Sequence, residues 1–285
     1  MSDAPAIRRF GFAYNPTNDA AIELRERAAG WCAARGVPHW AAPAGATDDL
    51  VARLPQADAL VVLGGDGTLL RAMQAVVHAD TPLLGVNLGK VGFLSQVEAH
   101  EVEAVLELLA AGGYRIEERM ALQGAIHPGG RQADTGRFVA LNDVVVARGA
   151  LARVVRLEVD IGRSHLATFI ADGLVVSSPT GSTGYSFSAG GPVVDPSSRN
   201  LIVTPIAGYL SAIRSVVVSP RRTIRIVVAE AHEALVSIDG REDRPVVAGD
   251  AVTVAALDRP VRFIVPDGAV PFWDLFRRKV ELLPS

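Results

Sequence analysis

The sequence predicts an α/β unit built on a parallel sheet, then a β-rich unit, then a C-terminal segment that packs back on the core. Three observations predict this. Through residue 113, short and continuously apolar runs alternate with helical periodicity, as parallel strands covered on both faces alternate with crossover helices. After Tyr114, short β-branched runs separated by Gly, Pro or Asp take over. From Pro271 to Leu283, Phe272, Trp273, Leu275 and Phe276 stand among basic residues, which reads as a helix. The expected domains are 1–115, 116–265 and 266–285, the last returning to the first.

In order, Ile7 to Asn15 forms a strand ending in an Asn15-Pro16-Thr17 turn. A helix runs from Ala20 to Arg35, capped by Asn18 or Asp19 and stopped by Gly36, with Leu24, Ala28 and Trp31 on its buried face. Cys32 adjoins that face as a small buried hydrophobe. The apolar strand Ala59 to Leu63 enters Gly64-Gly65-Asp66-Gly67-Thr68, and a helix follows from Leu69 to His78. A third strand, Pro82 to Asn87, leads into Leu88-Gly89-Lys90-Val91-Gly92-Phe93, and a helix from Ala99 to Ala111 closes at Gly112-Gly113. The β-rich part has expected strands at 121–126, 138–146, 152–161, 165–170, 173–177, 215–218, 223–228, 235–238, 251–256 and 261–265.

Composition narrows the function. A formal charge of -3 lacks the basic excess of a nucleic-acid binder. A lone cysteine permits no intrachain disulfide and suits a reducing cytosol, and the polar, acidic start does not resemble a signal peptide. The 22 residues between Asp172 and Asp195 carry no charge, yet 14 are Gly, Ser, Thr or Pro, too polar and too broken to span a bilayer. The six histidines show no metal-ligand spacing, and no G-x-S-x-G elbow is present.

Chemistry concentrates in three places. At Gly64-Gly65-Asp66-Gly67-Thr68 a strand tip rich in glycine lets a ligand approach the backbone, and the helix beyond offers amides to phosphate. Gly64, Gly65, Gly67 and Thr68 are therefore the expected phosphate contacts. Asp66 would repel a phosphate unless it binds a metal or takes a proton; alternatively it merely caps the helix. Neither the P-loop nor the G-x-G-x-x-G pattern is present. In the charge-free segment, seven serine and threonine hydroxyls lie within Ser177 to Ser188 beside Tyr185, a set suited to a nucleoside's base and sugar. Asn142-Asp143 interrupts an apolar strand; adjacent side chains point to opposite faces, so both reach one ligand only at a strand end or bulge, and an edge turn is the alternative.

Taken in order, Gly64–Thr68, Gly85–Leu94, Asn142-Asp143 and Asp172–Gly191 resemble the NAD kinase family, most specifically in the last motif. Gly-Gly-Asp-Gly alone is shared with diacylglycerol and sphingosine kinases and with phosphofructokinases. The resemblance implies phosphorylation of the adenosine ribose 2′-hydroxyl of NAD, with ATP or polyphosphate as donor and a divalent ion, magnesium first. It also implies a homodimer or homotetramer, to which the composition adds a cytoplasmic location and no nucleic-acid or membrane partner. By position, Asp66 is the implied base, and Gly67 and Arg71 line the substrate. Asn142, Asp143, Asp172, Thr183, Gly184, Tyr185, Ser186, Phe187, Ser188 and Ala207 bind NAD; metal ligands are not assigned. Two positions depart from relatives. Ile170 stands where a basic residue is frequent, which leads to an expectation of NADH phosphorylation beside that of NAD. Arg241 stands where Gln is common, read here as part of a hairpin. A lipid or other small-molecule kinase and a non-catalytic NAD(P) sensor are the alternatives.

Overall fold

The computed structural model describes residues 4–89, 92–130, 136–149, 154–208, 213–231 and 233–281. Lys90 and Val91 of the glycine-rich stretch, the start of the strand expected at Ala152, His232 and Leu283 lie outside them. The chain divides into two units. One comprises the residues up to Glu118 and from Val261 on; the other is Arg119–Pro260.

The first unit opens with β1 (Phe10–Tyr14), α1 (Asp19–Ala34), β2 (His39–Pro43) and α2 (Thr47–Arg53). It continues with β3 (Ala59–Leu63), α3 (Asp66–Val76), β4 (Leu83–Asn87), β5 (Val97–Glu98), α4 (Val102–Ala110) and β6 (Tyr114–Arg119). Asn18 caps α1 by accepting the Ala21 amide at 3.3 Å, and Gly36 at φ +64° ends it, as its sequence requires. β2 and α2 were not anticipated. β2 is an edge strand closed by a proline, and α2 is a seven-residue helix without a side-chain cap, so neither carries a strong periodic signal.

The second unit holds β7 (Leu122–His127), β8 (Arg137–Ala140), β9 (Asp143–Arg148), β10 (Val155–Ile161), β11 (Ser164–Ala171) and β12 (Gly173–Ser177). After the short helix α5 (Tyr185–Ser188) come β13 (Leu201–Ile206), β14 (Val216–Val218), β15 (Ile224–Glu230) and β16 (Ala234–Ile238). β17 (Glu242–Val246) and β18 (Ala251–Ala256) complete it. β19 (Val261–Pro266) and α6 (Phe272–Glu281) return to the first unit. Placing 261–265 in the β-rich domain is thus corrected: β19 pairs in parallel with β4, Phe263 opposite Leu83. An isolated strand pattern does not reveal which sheet it will join.

In the first unit the strands run in the order β2-β1-β3-β4-β19-β6, with β5 on β4, and the pairs among β1 to β4 are parallel. β3 is buried at all five positions, which explains its uninterrupted Ala-Leu-Val-Val-Leu. The second unit has two antiparallel sheets among the described residues, β11-β10-β15-β18-β7-β8 and β14-β13-β12-β9-β16-β17. Leu157, Ile226 and Val254 from one sheet share a core with Val146, Val176 and Val203 from the other. The single strand expected over 138–146 is two: β8 belongs to one sheet and β9 to the other, and Leu141-Asn142 is the crossing point. β13 and β17 escaped the sequence pattern because each contains a proline, Pro205 and Pro245, and β17 is a charged edge strand.

Candidate active site

In the first unit, Gly64 ends β3 at φ +154°, and its amide donates to the Val86 carbonyl at 2.9 Å. A Cβ there would overlap the Thr68 side chain, so the tip tolerates only glycine. α3 begins at Asp66 itself, three residues earlier than its apolar pattern suggests, and the first-turn amides have no helical partner by geometry. Asp66 does not cap the helix: no side-chain cap bond exists at this end. Its carboxylate turns to the loop after β4, where Oδ2 accepts the Phe93 amide at 3.1 Å and Oδ1 accepts the Ser95 amide at 3.1 Å. Gly92 is packed against this carboxylate so closely that a Cβ would overlap it. Each oxygen keeps a second lone-pair direction, so the half-buried carboxylate is oriented and still able to accept a proton. Gly67 is exposed and Thr68 buried, while Arg71 is exposed about one and a half turns along α3.

In the second unit, Asn142 and Asp143 sit where the chain leaves one sheet for the other. This is the strand end that lets neighbouring side chains serve one place. The turn is gripped from two sides. Asp239 accepts the amides of Leu141, Asn142 and Asp143 at 3.0, 2.8 and 3.2 Å. The Ser178 hydroxyl donates to the Leu141 carbonyl at 2.5 Å, and the Ser178 amide donates to the Asn142 carbonyl at 2.9 Å. Gly181 lies against the Asn142 backbone with no room for a Cβ. Burial, and then the neighbouring Asp239, push the Asp143 carboxyl up to about 7. Burial also raises Asp239, against which its three amide donors and Arg241 act, so the charged form is better supported at Asp239 than at Asp143.

The hydroxyl-rich segment departs from expectation. Ser177, Ser178, Thr180, Ser182 and Ser186 are buried. Ser182 bonds both the amide and the carbonyl of Val194, and Ser186 meets Thr204 at 3.3 Å. Ser178, Ser182 and Ser186 therefore hold the loop to its own scaffold, whereas the buried Ser177 and Thr180 hydroxyls have no hydrogen-bond partner among the described residues. An uncharged segment is what such burial requires, since hydroxyls can be satisfied by backbone where charges cannot. The loop presents outward Gly184, Tyr185 (47% exposed), Phe187 (39% exposed) and Ser188, with Thr183 half-buried. Asp143 Oδ2 lies 3.7 Å from where a Gly184 Cβ would be, so Asp143 and the start of this surface are neighbours.

Asp172 is not beside them. β12 runs from Gly173, opposite Ala147, to Ser177, opposite Asp143, so Asp172 and Asp143 mark opposite ends of β12, about 17 Å apart at the usual strand rise. At its end Asp172 pairs with Arg148, Nε to Oδ1 at 2.9 Å and Nη2 to Oδ2 at 3.3 Å. Its amide donates to the Ile206 carbonyl at 3.0 Å, and the next residue, Ala207, is exposed at φ +46°, a strained conformation of the kind found at functional sites. Arg148 and Asp239 were not chosen from sequence. A cation does stand beside Asp172, namely Arg148 on the neighbouring strand β9, whereas Ile170 lies on β11 opposite Arg156. Asp239 (φ +52°) and Gly240 (φ +60°) form the tight β16–β17 hairpin, as expected around Arg241.

Comparison with known proteins identifies the family of the chain. The ATP-NAD kinase N-terminal domain model matches residues 47–114, and the ATP-NAD kinase C-terminal domain model matches residues 141–265. The NAD kinase of Moorella thermoacetica is 42% identical over 91% of this chain and 79% of its own length. That of Heliobacterium modesticaldum is 39% identical over 95% and 98%. The crystal structure of an NAD kinase from Archaeoglobus fulgidus in complex with ATP superposes with a TM-score of 0.77 at 26% identity, covering 96% of this chain and 99% of that one. The chain belongs to the NAD kinase family. None of these matches favours a lipid kinase or a non-catalytic sensor.

Proposed function

We propose that this chain transfers the γ-phosphoryl group of ATP to the 2′-hydroxyl of the adenosine ribose of NAD, giving NADP and ADP. The observation that carries the reading is Asp66, a carboxylate at a glycine-lined strand tip, oriented by two backbone amides and able to accept a proton. In the step, the ribose oxygen bonds to the γ-phosphorus, the bond to the β–γ bridging oxygen breaks, and the hydroxyl proton passes to Asp66. Gly64, Gly65, Gly67 and Thr68 receive phosphate, and Arg71 meets a phosphate charge with its fork of donors. Asn142 and Asp143 read a base or carboxamide edge, a protonated Asp143 donating where a carboxylate could only accept. Tyr185 and Phe187 offer apolar faces for stacking, with Thr183, Gly184 and Ser188 beside them; Ser186 holds the loop. Asp172 and Ala207 complete the NAD contacts.

Among the described residues, no group of three or more His, Cys, Asp or Glu side chains could hold a metal ion. The divalent ion, magnesium in this reading, comes with the ATP substrate, where it neutralises phosphate charge. The reading also places the chain in the cytoplasm as a homodimer or homotetramer without nucleic-acid or membrane partners. No helix among the described residues is long and apolar enough to cross a membrane. The test is incubation with NAD, magnesium and either ATP or polyphosphate, with NADP measured directly. Asp66→Asn should lower turnover by about 10²–10⁴ while NAD still binds. Absence of NADP, or turnover of the variant within a few-fold of wild type, overturns the reading.

A further inference from the structure

The C-terminal helix α6 has one fully buried side chain, Leu275, and exposes Trp273 and Val280. Burial in the core therefore does not account for where it sits. Phe272, Phe276 and Lys279 recur at i, i+4 and i+7, one face of the helix, and all three are half-buried. All three of these side chains meet Phe93. The Phe93 ring is 6.1 Å from the Phe272 ring and 6.4 Å from the Phe276 ring, and the Lys279 ammonium stands 5.0 Å from its centroid.

Phe93 is the residue whose amide donates to Asp66 Oδ2. Two residues on, the Ser95 amide donates to Oδ1, and the Gly92 amide closes the turn on the Ser95 carbonyl at 3.2 Å. We infer that α6 is a positioning element for the Asp66 carboxylate: its aromatic face and Lys279 hold Phe93, and the Gly92–Ser95 turn so held aims the carboxylate. The inference rests on Asp66 being the proton acceptor. The physical reason is economy of constraint. Within the turn Leu94 and Ser95 are buried while Phe93 is only half-buried, and two hydrogen bonds orient a carboxylate only as well as their donors are fixed. Aromatic contacts to Phe93, next to the buried Leu94, add fixation at the half-buried end of the turn.

The experiment compares Phe276→Ala, Phe276→Leu and Lys279→Met with Asp66→Asn and with the Phe276→Ala/Asp66→Asn double variant. Steady-state kinetics and amide hydrogen exchange over residues 92–96 are read together. Phe276→Ala should lower kcat about tenfold with KM for NAD and ATP within about twofold, since misaim costs rate rather than binding. Phe276→Leu should recover most of that rate, and exchange over 92–96 should quicken in Phe276→Ala. In the Asp66→Asn background, Phe276→Ala should cost nothing further. An equal loss in both backgrounds, a loss confined to KM, or unchanged kcat despite faster exchange overturns the inference and leaves the base assignment standing. If Asp66→Asn itself retains turnover, the base assignment fails and takes the inference with it. Should Phe276→Ala not fold, Lys279→Met carries the same comparison with about a threefold expected loss in kcat.

Discussion

Replacing Asp143 by Asn tests the electrostatics of the Asn142-Asp143 turn through stability. Asp143 is 6% exposed beside Asp239, and its carboxyl is raised from 3.8 to about 7. The folded protein then binds this proton more tightly than the unfolded chain. Stability is fully present below about pH 4, declines as pH rises toward 7, and is flat above it. At about 1.36 kcal/mol per pH unit the loss approaches about 4 kcal/mol, a ceiling because Asp239 shares it. Asp143→Asn keeps the shape and removes the titration. It should be more stable than wild type by about 2–4 kcal/mol at pH 8, shrinking to about 1 kcal/mol at pH 4.5. The three tryptophans, Trp31, Trp40 and Trp273, all lie in the first unit, so calorimetry is the suitable probe for the second. A stability difference that is the same at both pH values would refute a protonated Asp143 in the folded protein.

Three further outcomes are expected. Gly92→Ala places a Cβ against the Asp66 carboxylate and should reduce kcat by about 10² with little change in the NAD dissociation constant; near-normal kcat would mean the carboxylate has freedom the geometry denies it. Tyr185→Ala, at an exposed position, should leave stability within about 0.5 kcal/mol and raise KM for NAD about 5–150-fold, the range of a lost base stack; titration and unfolding curves check both. Arg148→Gln unpairs Asp172 and should change the ratio of kcat/KM for NAD to that for NADH more than Ile170→Arg does. The opposite ranking would return selectivity to Ile170.

The parallel unit was legible because its strands are continuously apolar and its helices carry caps and stops in the chain, as at Asn18 and Gly36. Gly64-Gly65-Asp66-Gly67 was legible for a related reason: Gly64 occupies a position that admits only glycine, which writes the geometry into the residue itself. The crossing at Asn142-Asp143 was only partly legible: two adjacent polar side chains asked for a strand end or a bulge, yet the apolar pattern read as one strand over 138–146. What failed was long-range. The hydroxyls between Ser177 and Ser186 look alike in the chain, but most are buried, and Ser178, Ser182 and Ser186 hold the scaffold together. Arg148 joins Asp172 across 24 residues, and Asp239 reaches the amides of Leu141 to Asp143 across nearly 100. β19 enters the parallel sheet after the whole β-rich unit has intervened. Local backbone preference acts over a few residues and is therefore written in a few residues. Which buried polar groups satisfy one another, and which strand closes which sheet, is a competition among distant partners that is resolved only when the chain has packed.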